Sequence, residues 1–553
     1  MRKLLLSMLT VLMAATLHAQ EFETATQAVK NMGVGWNLGN TLDANGNGVH
    51  QGPDSETYWG QPYTQQELMT MMKTAGFGSI RVPVTWYNHM DANGNVDAAW
   101  MARVHEVVDY VINAGMYCLL NVHHDTGDGS THWLHASMQT YNQVKTKYEK
   151  LWQQIAEEFK DYDQRLLFES YNEMLDDYNS WCFASFNHPS KYNATVAADA
   201  YNAINSYAQS FVTTVRGTGG NNARRNLVVN TYAAANGSGT WNAHLKDPLT
   251  ELAYPTDPAG TGHIAFQVHA YPNIGNLTSA KNEINQMFTD LNTYLVSKGG
   301  PVIIGEWGTS NVDATVPDYI ADREKYLAFA TFFVQKAKAG GFGMFYWMGI
   351  SDGTDRSLPV FTQPDLAEAM LKAYYGDDYQ PVLPTRDDLG ASNYEITYNQ
   401  QWSEANLLSN GIHTADYLRL ELELTEAPAN GAFQIKVYDK NVVTPVTSTT
   451  TSMPFNASTM GASIPRITLQ YCLSTPATVT VKEVRLVKSD GTKERQAVST
   501  FWGCAVNEVF PSSVPALHAD QPGADTYYDL QGRRVNHPTR GIYIYRGRKV
   551  VVR

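Results

Sequence analysis

A chain of 553 residues exceeds one usual domain and predicts a catalytic unit with one or two smaller modules. Its 41 Lys and Arg against 54 Asp and Glu leave a net charge of −13, which argues against nucleic acid, whose phosphates need a concentrated positive surface. Aromatic residues make up 11% of the chain, many beside Asn, Gly and Asp, and such rings suit stacking on sugar faces as well as core packing.

The chain opens with Met1-Arg2-Lys3, an apolar stretch from Leu4 to Leu17 and the small-residue exit His18-Ala19-Gln20. This is the pattern of a secretory signal peptide over 1–19, and it predicts export to the medium or the cell surface. The stretch is too short to span a bilayer and no later one reaches about 20 apolar residues, so no transmembrane span is expected.

Over 22–378 short apolar runs alternate with helical patterns. The runs are Gly33 to Leu38, Ser79 to Pro83, Tyr117 to Val122, Leu166 to Tyr171, Leu227 to Asn230, Ile264 to His269, Val302 to Gly305 and Gly343 to Trp347. A run such as Val302-Ile303-Ile304 is β-branched and too short for a helix, which reads as a strand buried on both faces. Amphipathic stretches lie between them at Gln66 to Thr74, Ala98 to Asn113, Tyr141 to Phe159, Ala197 to Arg216, Lys281 to Ser297 and Tyr319 to Lys338. Strand and helix alternating in this order predict an α/β fold, a (β/α)8 TIM barrel with long loops.

After Asp377 the texture changes, with Pro381 to Pro384 as linker. Period-two alternation from Tyr417, Phe433 and Val479 predicts half-buried antiparallel strands and a β-sandwich over 385–510. A second linker, Pro511 to Gly523, precedes a short, basic, hairpin-like segment at 524–553. Of the four cysteines, Cys118 sits in an apolar run as a buried thiol, while Cys472 and Cys504 share the downstream region and their pairing is left open by spacing alone; Cys182 completes the set, and no zinc-type spacing occurs.

The predicted strands end in polar side chains: Arg81, His123 and His124, Asn172 and Glu173, His269 and Tyr271, Glu306, and Trp347. Singly, each has a structural explanation as an ion-pair, core or packing residue. Gathered on the carboxyl rim of one barrel they form a concave polar site. Two carboxylic acids there suit glycoside cleavage, one protonating the leaving oxygen and the other attacking the anomeric carbon. Arg81 and Tyr271 are suited to keep Glu306 ionised, Asn172 to bind a sugar 2-hydroxyl, His269 to modulate Glu173, and Trp347 to face the sugar. A metal site from His123-His124-Asp125 and His269 would leave the Asn172-Glu173 pair and Trp347 without a role, so neither metal nor cofactor is expected.

Six ordered segments carry a family likeness: Ile80 to Trp86, Asn121 to Asp125, Tyr171-Asn172-Glu173, His269 to Pro272, Ile304 to Gly308 and Phe345-Tyr346-Trp347. From about Val29 to Tyr375 the chain resembles glycoside hydrolase family 5, a retaining clan of (β/α)8 barrels. The resemblance implies Glu173 as general acid/base and Glu306 as nucleophile. Arg81, His124, Asn172, His269, Tyr271 and Trp347 would surround the cleaved sugar, with His123 beside them in a more structural role. Gly35 to Asp43 and Glu56 to Gly60 resemble subfamily 4 of that family, which implies an endo-β-1,4-glucanase acting on cellulose derivatives, mixed-linkage glucan or xyloglucan. Asn40, Trp59 and Trp133 are then candidate glycone-side contacts, each equally suited to loop packing. A β-mannanase or xylanase on the same barrel is the nearest rival, and a noncatalytic glycan-binding surface protein the more distant one. Asp529 to Val535 and the run from Gly541 resemble the terminal domains of exported Bacteroidetes proteins, which implies surface-sorting machinery as a partner, the basic residues being readable also as the solvated face of a hairpin.

Overall fold

The computed structural model describes residues 22–46, 51–127, 129, 132–180, 192–240, 242–309, 323–389, 392–438 and 440–509, and the backbone of four short strands between 527 and 552. The expected leader at 1–19, Cys182 and the linker at 511–523 lie outside the described residues. Two units divide the chain, 1–385 and 386–553.

In the first unit eight parallel strands close into a barrel: β1 (Gly35–Asn37), β2 (Ser79–Val82), β3 (Tyr117–Asn121), β4 (Leu166–Glu169), β5 (Leu227–Asn230), β6 (Ile264–Ala270), β7 (Val302–Trp307) and β8 (Gly343–Tyr346). Each pairs with its sequence neighbours, and Gly35 opposite Phe345 closes the ring. Every strand residue is buried except half-buried Tyr117, which is why the strands read as unbroken apolar runs.

The strand limits depart from the sequence reading at informative places. β1 starts at Gly35 because Gly33 has φ +63, outside the extended region. β4 stops at Glu169, so Glu173 sits in the loop beyond it rather than on the strand. β7 runs past Gly305 through Glu306 to Trp307, with register shifts against both neighbours that set His269 opposite Glu306. Such irregularities re-aim side chains beside active sites. Gly305 is required there, since a Cβ would stand 2.3 Å from the Gln267 side chain.

Surrounding helices include Gln66–Ala75, Ala98–Asn113, Met138–Glu158, Ala194–Gly217, Leu277–Tyr294, Arg323–Gly340 and Pro364–Tyr375. Trp100, Val104, Val107, Val108 and Val111 form the buried stripe of one, at helical spacing. Three begin earlier than their apolar periodicity indicates because Ser137, Asn193 and Asn276 accept hydrogen bonds from first-turn amides and cap them.

The barrel interior has two layers. Leu119, Leu167, Val228, Ala265, Ile303 and Phe345 pack with Ala25, Ala28, Val29 and Met32 at the amino-terminal end. Above them, toward the carboxyl ends, lie the fully buried polar side chains Asn37, Arg81, Asn121, Glu169, Asn230 and Gln267, from six successive strands.

The second unit is the expected β-sandwich. Its strands are β9 (Asn393–Tyr398), β10 (Glu404–Leu408), β11 (Ile412–His413), β12 (Tyr417–Leu424), β13 (Phe433–Val437), β14 (Val442–Val446), β15 (Thr450–Pro454), β16 (Ser463–Ile464), β17 (Ile467–Tyr471), β18 (Ala477–Lys488), β19 (Lys493–Arg495), β20 (Ser499–Trp502) and β21 (Cys504–Val509). One antiparallel sheet has the order β14-β13-β17-β10-β20 and the other β15-β12-β18-β9-β21. Cys472 and Cys504 are free thiols, the latter turned to the Glu404 carbonyl at 3.2 Å, so they form no disulfide; Cys118 is buried as expected. The terminal segment is more than a hairpin: Tyr527–Tyr528, Arg534–Val535, Gly541–Tyr545 and Arg548–Val552 build a four-stranded antiparallel sheet. No helix among the described residues is long and apolar enough to cross a membrane.

Candidate active site

Arg81, on β2 and without solvent exposure, organises the carboxyl end of the barrel. Its Nε donates to Glu169 Oε2 at 2.7 Å and Nη2 to Glu169 Oε1 at 2.8 Å, a two-point grip. Nη1 donates to Glu306 Oε1 at 2.7 Å and to Asn37 Oδ1 at 3.0 Å, and Nη2 donates also to Asn172 Oδ1 at 2.8 Å. Burial disfavours the guanidinium charge, but Glu169 and Glu306 more than offset it and keep Arg81 protonated.

Glu306 takes a second donor from the opposite side, the Tyr271 hydroxyl at 2.6 Å from Oε2. Burial alone would raise the Glu306 pKa; the charges of His269 and Arg81 and the Tyr271 hydrogen bond outweigh it, and the carboxyl is held below the usual glutamate value. His269 Nδ1 lies 2.7 Å from Glu173 Oε1 and 3.6 Å from Glu306 Oε2. One oxygen from each of Glu173 and Glu306 and this nitrogen fall within 4.8 Å of one another. Glu173 is the more open of the two, 23% exposed against 7%. Carboxyls this close match covalent displacement, where about 5–5.5 Å separates the pair, rather than the wider gap that admits a water between them.

His123 and His124 differ. His123 is buried, accepts from Asn121 Nδ2 at 3.0 Å and stacks on Trp347 with centroids 5.9 Å apart. Burial, then the nearby positive groups, push its pKa well below the usual histidine value, which leaves it neutral. His124 is 27% exposed, 3.7 Å from Asp43 Oδ2, with its ring 5.2 Å from Trp59. Trp347 covers Gly39 so closely that a Cβ there would stand 2.8 Å from the indole.

The outer candidates separate. Asn40 has φ +60 and its amide is tied to Asp43 Oδ2 at 3.1 Å, so the loop after β1 is held in a left-handed turn. Trp59 is exposed, anchored by its indole N–H on the Asn45 carbonyl. Trp133 instead ties down a loop: its indole donates to Asp125 Oδ1 at 2.6 Å, and Lys147 sits 4.5 Å from its ring centroid. Asp125 Oδ2 in turn accepts from the Trp86 amide at 2.8 Å. Two groupings have metal-compatible spacing, Asp43-His123-His124 and Glu173-His269-Glu306, and in the second the imidazole and carboxylates already satisfy one another.

Sequence reasoning missed Glu169, Asn37, Asn121, Asn230 and Asp43. The first four are the polar exceptions in otherwise apolar strands, one each from β4, β1, β3 and β5, and that recurrence was the available signal. Asp43 follows β1 and is fully buried; burial pushes its carboxyl up to about 7 against the pull of the Thr41 and Asn40 amides and Arg356.

The chain has relatives in sequence and in fold. The model of the cellulase family, glycosyl hydrolase family 5, matches residues 42–353, more than half of the chain. Endoglucanase A of Paenibacillus barcinonensis is 33% identical over 338 residues, 54% of this chain and 77% of that protein. Among solved structures, a subfamily 4 broad-specificity endoglucanase from an uncultured bacterium is 61% identical with a TM-score of 0.63, over 66% of this chain and 98% of that one. A family 5 enzyme of Prevotella bryantii B14, solved with a xyloglucan tetradecasaccharide, is 44% identical with a TM-score of 0.58, over 64% and 99%. The match runs through β2 to β8 and every polar residue gathered at their ends, and on that ground the chain belongs to glycoside hydrolase family 5.

Proposed function

We propose that this protein is a retaining endo-β-1,4-glucanase with Glu306 as nucleophile and Glu173 as general acid/base. The observation that carries the reading is the buried Glu306 carboxylate, gripped by Arg81 and Tyr271 and separated from the more open Glu173 by one imidazole. In the first step a Glu306 oxygen bonds to the anomeric carbon as the glycosidic C–O bond breaks, and the Glu173 proton passes to the leaving oxygen. In the second, Glu173 takes a proton from water, whose oxygen attacks the same carbon and frees Glu306. Asn172 has its carbonyl oxygen on Arg81, which turns its NH2 away from the guanidinium and toward the sugar 2-hydroxyl. Trp347 and His124 flank the cleaved sugar, and Trp59 and Asn40 extend the groove on the glycone side.

The substrate is a β-1,4-linked glucan, with xyloglucan and mixed-linkage glucan the leading polymers. Support comes from relatives described as endoglucanases, one of them broad in specificity, and from the relative solved with a xyloglucan oligosaccharide. The leader pattern at 1–19 supports a secreted or surface-attached enzyme, and the terminal segment a role in sorting.

Reducing-end release by wild type and Glu306→Gln on xyloglucan, mixed-linkage glucan, carboxymethyl cellulose, xylan and glucomannan tests this. Glucan cleavage by wild type alone is expected. Preference for glucomannan or xylan would move the specificity to a β-mannanase or xylanase, and silence from both proteins would favour a noncatalytic glycan binder.

A further inference from the structure

All five N–H donors of Arg81 are engaged, and two of them go to a carboxylate that the reaction described above never uses. Glu169 has no solvent exposure and sits on β4 below the loop that carries Glu173. Its Oε1 also accepts from Asn121 at 3.0 Å and Asn230 at 3.3 Å, so Arg81 and two neutral amides hold it. A buried carboxylate placed only for packing would cost more than an apolar side chain in the same space.

We propose that Glu169 is a positioning residue for glycosyl transfer: it is the permanent counter-ion of Arg81, and it lets Glu306 give up its charge without leaving a bare buried cation beside the sugar. The inference rests on Glu306 being the nucleophile. In the free enzyme Arg81, Glu169 and Glu306 sum to one negative charge. When Glu306 forms its ester with the anomeric carbon, the trio becomes neutral. Without Glu169 it would become positive at the moment the sugar ring itself develops positive charge. The two-point grip also fixes the guanidinium plane, so one side chain aims Nη1 at Glu306 and Nη2 at Asn172.

Groups facing Glu306 are Arg81 from β2, His123 after β3 at 3.9 Å, Glu173 after β4, His269 from β6 at 3.6 Å, and Tyr271 beyond β6. Only Arg81 among them also touches Glu169 in the described network.

The test compares wild type, Glu169→Gln and Glu169→Asp as full chains on an aryl β-cellobioside, across pH. Glu169→Gln is expected to lower kcat/KM by about 10²-fold, the scale of one lost electrostatic contact at a reacting centre. The loss should fall on kcat with KM little changed, and the acid limb of kcat/KM should move to lower pH because the whole Arg81 charge now bears on Glu306. Glu169→Asp, which keeps the charge, should regain at least tenfold. A Glu169→Gln protein with a lowered melting temperature but wild-type kcat/KM and acid limb would overturn the proposal and leave Glu169 a packing residue.

A second measurement needs no variant: the crystal structure of wild type trapped with a 2-deoxy-2-fluoro cellobioside. The Arg81 fork should remain on Glu169 with Glu306 esterified, and its release from Glu169 would overturn the inference. Label on another residue would instead defeat the nucleophile assignment, which keeps the two failures apart.

Discussion

Tyr271 donates its hydroxyl to Oε2 of Glu306 at 2.6 Å, the side of the carboxylate that Arg81 does not reach. Tyr271→Phe removes one of the influences that hold the Glu306 carboxyl down against burial, behind those of His269 and Arg81. Its pKa should rise, moving the acid limb of kcat/KM to higher pH, with kcat lowered about 10- to 100-fold. A pH–rate profile on a soluble glucan checks both.

Removing Arg81 exposes the cost of the carboxylates it compensates. Arg81→Met should destabilise the protein by about 3–5 kcal/mol, because Glu169 is left buried without a counter-ion. Arg81→Met with Glu169→Gln should recover much of that stability and none of the activity. Urea denaturation of the single and double variants measures the difference.

The stability contributed by Asp43 and Asp125 should fall as pH rises from mildly acidic to mildly alkaline, opposite in sign to the buried, neutral His89 and His123. Burial raises Asp43 to about 7 and Asp125 to about 6, from 3.8 in each case. A carboxyl raised in the folded state contributes stability that is fully present below its unfolded pKa and lost as pH climbs through the folded one. For Asp43 the window is 3.8 to about 7, worth on the order of 4 kcal/mol. Asp43→Asn should remove this contribution, so its unfolding free energy relative to wild type should climb between pH 5 and 8. Glu306, held low, acts with the opposite sign and only at more acidic pH, below 4.5.

The two outer tryptophans should part company. Trp59 is 40% exposed, so Trp59→Ala should raise KM for polysaccharide about tenfold with the melting temperature unchanged. Trp133→Ala removes the indole N–H from Asp125 Oδ1 and should cost about 1–3 kcal/mol of stability. Calorimetry beside steady-state kinetics separates the two roles.

How much of this could be read from sequence follows from what each residue's neighbours reveal. Strands such as Leu227–Asn230, buried on both faces, have to be apolar runs, and the run coincides with the strand. Arg81, His269 and Glu306 stand out because each interrupts or closes such a run. Glu169 does the same, yet it shares its segment with Asn172 and Glu173, and only the end of β4 shows which acid faces inward and which lies in the loop. The pairing of His269 with Glu306 depends on a register shift between β6 and β7, a long-range property that no local pattern carries. Helix starts at Met138, Ala194 and Leu277 were obscured for a simpler reason: capping polar residues precede the first apolar position and leave no mark on periodicity.

The apolar layer of Leu119, Leu167, Val228, Ala265, Ile303 and Phe345 makes the reaction centre electrically one-sided. With an apolar floor under Arg81 and Glu169, charges at that depth are screened less than charges at the open rim. The attraction that Glu306 exerts on a forming oxocarbenium ion is therefore strengthened from below, where Arg81 and Glu169 stand on that apolar layer. Loop changes at the rim can retune which polymer enters while the driving field beneath stays as it is.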